Sequence, residues 1–143
     1  MKLSQLFMRT KTPRVIGRLL TVDLPQFGIE AVVAKVDTGA FSGALHATQI
    51  REVKQRGVHR LEFMPLGKGP LVRTENFHKK RVKSSNGTAM VRYAIDTEVL
   101  IFGRIVPITI TLANRRAMRY KIIIGRKFLS THGFLIDVTS NNQ

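Results

Sequence analysis

Cysteine and tryptophan are both missing from these 143 residues. Without cysteine there is neither a disulfide nor a thiolate metal site, which fits a reducing compartment such as the cytoplasm. Eight Phe and two Tyr make up the aromatic complement, a thin base-stacking set for a single-strand nucleic-acid binder. Zinc-finger spacing, a P-loop and a helix-turn-helix pattern are also lacking. No apolar stretch is long enough to span a bilayer, and MKLSQLFMRTKTPR does not read as a signal peptide, so no membrane partner is expected. Acidic residues are scarce: nine Asp and Glu stand against 24 Lys and Arg, leaving +15. That field attracts polyanions, whether nucleic acid, anionic lipid or acidic polypeptide. The four histidines (His46, His59, His78, His132) make no HExxH motif and no i, i+4 pair. No metal site is expected from them. Gly67-Lys68-Gly69-Pro70 lacks the phosphate-loop pattern, so no cofactor is expected either.

What remains is one domain's worth of chain, 43% apolar, organised as strands and turns. Residues 1–14 read as an N-terminal arm, 15–138 as the folded domain and 139–143 as a polar tail. Val15 to Val22 is strand-like and ends at Asp23-Leu24-Pro25. Phe27 to Val36 is nearly continuous in apolar residues, which predicts a strand buried on both faces. Ala44 to Gln55 is compatible with a short helix or another strand, and Leu61 to Leu66 is a short strand. Asn86-Gly87, inside HKKRVKSSNGTAMVRYAI, predicts a hairpin with a type I′ turn, which needs positive φ at both central residues. EVLIF and IVPITITL, joined by Gly103-Arg104, predict two more strands, the second alternating Ile108, Ile110 and Leu112 against Thr109 and Thr111. Lys121 to Ile124 is an apolar strand. Arg126 to His132 is a short helix closed by Gly133, and Phe134 to Val138 is a last strand. The fold class is therefore mostly β, with one short helix near the C-terminus.

One carboxylate stands out. In VVAKVDTGAFSGALHA, Asp37 ends an aliphatic run and is followed by Thr38 and Gly39. A strand fixes the position of such a carboxylate, and the turn's amides can point at its oxygens while the threonine hydroxyl braces the loop. A pair of carboxylates so placed can activate a water, one taking its proton while the other donates to a carbonyl. The triplet alone is also ordinary turn chemistry.

The apolar-DTG-A segment together with KIIIGRKFL resembles the retropepsin pattern of retroviral aspartic proteases. More of the chain enters a narrower resemblance. AKVDTGA, SGALHA, RVKSSNG, RYAI with Thr97, and TLANRRAMRYKIIIGRKFL together are similar to a bacterial family labelled "ATP-dependent zinc protease". Its members are retropepsin-like, and some are encoded near ATP-grasp ligases that add glutamates to proteins. Neither the zinc nor the ATP of that label follows from the residues.

The resemblance implies a single pepsin/retropepsin-like closed β-barrel domain. It implies an aspartic endopeptidase with Asp37, Thr38 and Gly39 as the catalytic turn and Gly125 and Arg126 as its support. Asp96-Thr97 is followed by Glu98, so the chain offers one DTG where such an enzyme needs two. A homodimer with Asp37 on its two-fold axis is therefore expected. Ala40 has no hydroxyl to donate to the carboxylates. Phe41-Ser42 stands where retroviral proteases usually carry acidic residues and the bacterial family a basic or polar one, so Arg126 is expected to turn to a backbone carbonyl. Ala40 and Phe41 are expected to line the substrate rim. Lys79, Lys80, Arg81, Lys83 and Arg92 gather around the Asn86 hairpin, which by position would be a flap. Arg81, Lys83, Asn86 and Arg92 are expected to contact a protein or peptide substrate, an acidic and glutamate-rich one. Arg115, Arg116, Arg119 and Lys121 form a second basic group. A non-catalytic β domain binding a polyanion such as ribosomal RNA is the alternative.

Overall fold

The computed structural model describes residues 14–84 and 86–141; the rest of the N-terminal arm, Ser85 and the last two residues lie outside the described set. The described residues are mostly β, with one short α-helix among them. The strands are β1 (Val15–Ile16), β2 (Leu19–Leu24), β3 (Ile29–Asp37), β4 (Gly43–Gln55), β5 (Val58–Pro65), β6 (Val72–Thr74), β7 (Phe77–Lys83), β8 (Ala89–Ile101), β9 (Arg104–Ala113), β10 (Ile122–Gly125) and β11 (Leu135–Ile136). The helix, α1, is Arg126–Thr131. Nine strands form one sheet in the order β10-β3-β2-β8-β9-β4-β5-β6, with β7 paired to β8. An additional pairing between β10 and β4 closes a ring of six strands.

Inside the ring sit the aliphatics that the alternating pattern selects. Leu20 and Val22 of β2, Leu45 of β4, Ile95 of β8, Ile110 of β9, and Ile122 and Ile124 of β10 are all buried. Each such side chain contributes roughly 1.5–3 kcal/mol of transfer free energy. Ile108, Ile110 and Leu112 point inward as the alternation requires. Thr111 is buried as well, its hydroxyl donating to the Gly43 carbonyl at 2.8 Å. Phe128 and Leu129 are the buried residues of α1.

Two expectations change and one open alternative closes. The strand buried on both faces is not β3, whose Glu30, Ala31 and Lys35 are exposed. Ala31 adopts φ +51°, its amide donates to Asp23 Oδ1 at 2.7 Å, and the β2–β3 register shifts between Val22 and Leu24. This irregularity accompanies the exposure of Glu30 and Ala31, whereas Lys35 is exposed by plain alternation between buried Ala34 and Val36. Full burial falls instead on Gly43 to Ala47 of β4, which lies between β9 and β10. The segment that could have been a helix is therefore a strand. Thirdly, the Asn86-Gly87 hairpin closes through a longer loop, with Lys83 paired to Ala89. There the Gly87 amide donates to the Ser84 carbonyl at 2.9 Å. Gly87 has φ +85°, whereas Asn86 is not among the residues with positive φ. Both central residues take positive φ in the two-residue turns at Arg56-Gly57 and Phe102-Gly103, which join β4 to β5 and β8 to β9.

Candidate active site

Asp37 is the last residue of β3, and β10 runs parallel beside it with Gly125 directly opposite. The chain turns immediately: Gly39 N donates to Asp37 Oδ1 at 3.0 Å, and Ala40 N donates to the Asp37 carbonyl at 3.2 Å. The carboxylate is thus held by its own turn, half-buried between strand end and surface. The residues after the turn are sewn to the start of α1. Arg126 N donates to Ala40 O at 2.8 Å and Lys127 N to Phe41 O at 3.1 Å.

Gly125 is required here for space rather than backbone angle. Its φ is −86°, open to any residue, but an added Cβ would lie 2.6 Å from the Phe41 oxygen and 2.9 Å from that of Ala40. A Cβ on Gly43 would likewise meet Ile123 O at 2.7 Å. The DTG turn and the IIIGR strand can touch because neither contact point carries a side chain.

Arg126 turns to backbone carbonyls, as expected from the missing acidic neighbour: Nη1 donates weakly to Gly39 O at 3.3 Å and Thr38 O at 3.4 Å. The guanidinium thereby adds a brace to the turn from the α1 side. Phe41 is 49% exposed and ringed by cations. Lys80 Nζ, the Arg126 guanidinium carbon and Lys127 Nζ lie 5.1, 5.4 and 5.9 Å from its ring centre.

The basic residues expected on the substrate side divide by strand face. Along β7, Arg81 and Lys83 are exposed on the side of Lys79, whose ammonium lies 3.7 Å from Glu52. Lys80 points the other way, and its Nζ donates to Ser42 Oγ at 2.5 Å. Alternation in FHKKRVK carries that split, but only the packing says which face meets the turn. Arg92 is directly opposite Lys80 in the ladder and so shares its face. Asn86 is at the hairpin tip, where its Oδ1 accepts from Thr88 N at 3.1 Å.

The second basic group is a built loop. Lys121 Nζ donates to the carbonyls of Arg115, Arg116 and Met118 at 3.0, 2.7 and 2.7 Å. Arg115 Nε donates to Tyr120 O at 3.0 Å, and Arg115 N donates to His46 Nδ1 at 2.8 Å. Burial, then the adjoining Arg92, lowers the Arg115 guanidinium from its ordinary range, while the Asp37 carboxylate acts in the opposite sense. His46 is buried. That burial, and the cations of the loop after it, hold its imidazole below the ordinary 6.5. Among the described residues, no three His, Asp or Glu side chains group as metal ligands, and no helix is long and apolar enough to cross a membrane.

A strand-end DTG turn pressed against a second, glycine-bearing strand, in a mostly β ring with one short helix, defines an aspartic-protease-like fold. Residues 15–142 match the RimB-like family model, described as retropepsin-like aspartic endopeptidase RimB. The chain belongs to that family. Among curated proteins it is similar to a probable alpha-L-glutamate ligase of Shewanella pealeana, 30% identical over 122 residues, which are 81% of this chain and 27% of the relative. A protein of the same name from Parasynechococcus marenigrum is 29% identical over 135 residues, 90% of this chain and 29% of the relative. The chain thus spans a little over a quarter of the length of these relatives. A crystal structure of a Legionella pneumophila protein of unknown function superposes with a TM-score of 0.74 at 23% identity, covering 92% of this chain and 98% of that one. That likeness concerns the fold alone.

Proposed function

We infer that this protein is a cytoplasmic aspartic-type endopeptidase of the retropepsin kind, a closed barrel working as a homodimer. The observation that carries the reading is Asp37 itself, a half-buried carboxylate braced by Gly39 N at a strand end and backed by Gly125 and Arg126. The second carboxylate is Asp37 of another copy across a two-fold axis. Two carboxylates that close share one proton. The ionised member takes a proton from a water as its oxygen attacks the scissile carbonyl carbon, and the protonated member gives its proton to the carbonyl oxygen. The tetrahedral intermediate collapses as the C–N bond breaks, with the proton taken from the water passing to the leaving amine.

The substrates are acidic, glutamate-rich protein tails. Net charge of +15 favours them, as do relatives named for glutamate ligation, in which a region like this one shares a chain with more than twice its length of other sequence. The test compares native protein with Asp37→Asn on peptides that include oligoglutamate tails, with products read by mass spectrometry with and without a chelator. Cleavage that disappears in Asp37→Asn and survives the chelator is expected. Cleavage by the Asn variant, or none by a verified native dimer, overturns the reading. In the latter case the alternative, polyanion binding by a non-catalytic β domain, takes its place; its mark is a steeply salt-dependent affinity for RNA that Asp37→Asn leaves unchanged.

A further inference from the structure

Beside the DTG turn runs an open groove of about 400 Å³. Phe41, Ser42, Lys80 and Lys127 line it, and so do Asp96 and Glu98, which lie further along β8 than Arg92, the ladder partner of Lys80, and so mark its other end. The two ends differ in how their charges are satisfied. Asp96 accepts from the Thr109 hydroxyl at 2.5 Å and faces His78 at 3.9 Å. Glu98 accepts from the Gln26 amide at 3.0 Å. At the cationic end, among the described residues, no ion pair of the chain includes Lys80, Arg126 or Lys127. Three cations nonetheless converge on one aromatic ring. Burial, and then the Lys127 charge, lowers the Lys80 ammonium from its ordinary range. A half-buried ammonium set against a second one and bonded only to a neutral hydroxyl is costly without an anion.

We propose that Lys80 and Lys127, flanking Phe41 in this groove, form a subsite for a substrate carboxylate side chain, and so are the residues that select acidic peptides. The subsite rests on the peptidase reading for its role in turnover, but not for its ability to bind. Phe41 offers its face to the apolar stem of a glutamate while the two ammonium groups take the carboxylate. Asp96 and Glu98 reject a second acid at the far end, so the groove reads one carboxylate at a defined place rather than negative charge in general. The outward-facing Arg81 and Lys83 contribute only the long-range field.

The test uses the full chain carrying Asp37→Asn, so that binding is measured without turnover. Fluorescence anisotropy is read with labelled peptides in which one Glu moves along a neutral sequence, each beside its Gln counterpart. At one position Glu should bind roughly tenfold more tightly than Gln, the scale of a charge-assisted hydrogen bond. Lys80→Ala with Lys127→Ala should bring that preference close to unity. Lys68→Ala, which removes an exposed charge elsewhere, should preserve it. Single variants should lose part of the preference, which keeps the test open if the double variant misfolds. A Glu preference that survives the double variant, or falls equally in Lys68→Ala, overturns the proposal. So does inorganic phosphate that abolishes the preference at concentrations where acetate does not, since the site would then be a phosphate site. Peptide cleavage by the native protein is scored separately, so loss of the subsite and loss of the peptidase reading are distinguishable.

Discussion

Replacing Gly125 by alanine should do damage out of proportion to one methyl group. The new Cβ would stand 2.6 Å from Phe41 O and 2.6 Å from the Ser42 carbonyl carbon, against 3.4 Å or more in ordinary contact. Both obstacles are backbone, in a segment held on each side: Gly43 is buried between strands and Ala40 is tied to Asp37. No side chain can swing away, so the turn must retreat from β10 by most of an ångström. That stretches the bonds Arg126 N to Ala40 O and Lys127 N to Phe41 O. Overpacking of this kind costs about 3 kcal/mol, which for a domain of this size lowers Tm by about 10 °C. Urea unfolding measures the loss directly. Gly57→Ala is the comparison, because a Cβ there meets nothing within 4 Å while φ is +77°. Conformation alone should cost it about 1–2 kcal/mol. If the peptidase reading holds, Gly125→Ala should also lower kcat/KM by about a hundredfold, since a carboxylate displaced by about 1 Å is misaimed. A Gly125→Ala protein within about 0.5 kcal/mol of native, below the typical cost of such overpacking, would refute the steric argument. Equal losses in the two variants would refute the distinction between space and angle.

Two titratable groups give pH signatures. His46 is held below 6.5 by burial first and the loop cations second, so its contribution to stability is full above pH 6.5 and declines as pH falls toward its lower folded value, where the unfolded chain takes up a proton that the folded one resists. NMR titration should place its midpoint below 6.5; one at or above that value contradicts the burial argument. Glu62 is buried at the centre of an Arg73–Glu62–Arg51 bridge, with contacts of 2.7 and 2.8 Å. The hydrogen bond from Arg73, then that from Arg51, depresses its carboxyl below 4.5. Its stabilisation is therefore present above pH 4.5 and lost as pH falls through the lower folded value. Urea midpoints of Glu62→Gln should decline less between neutral and acid pH than those of the native protein, and identical slopes would remove Glu62 from that role.

Much of the architecture was legible because its signals are local. Alternating aliphatics in IVPITITL and the short IIIGR-helix segment each depend on residues within a few positions of one another. The misreadings have non-local causes. FGIEAVVAKV looks buried on both faces, but the Ala31–Asp23 bond marks an irregularity at its exposed start, and Lys35 lies on the outer face between buried Ala34 and Val36. Ala44 to Gln55 is no misreading: its pattern leaves helix and strand open, because its burial comes from β9 and β10, far along the chain. Asn86-Gly87 carries the stronger turn signal, yet positive φ at both central residues occurs at Phe102-Gly103, where the pairing of Ile101 with Arg104 leaves two residues to close the hairpin.

Sequence by itself determined that Asp37 sits on a sharp turn at a strand end, which follows from chemistry confined to a few adjacent residues. That Arg126 would look to backbone oxygen came from the resemblance, through the missing acid at Phe41-Ser42 far along the chain. Tertiary structure decided which cations stand at the turn. FHKKRVK defines two faces through its period of two, but nothing within it says that Lys80 faces Ser42 while Lys79 faces Glu52. That choice is made by the register of β7 on β8 and by where β8 crosses the ring, and contacts made across the ring cannot be read along the chain.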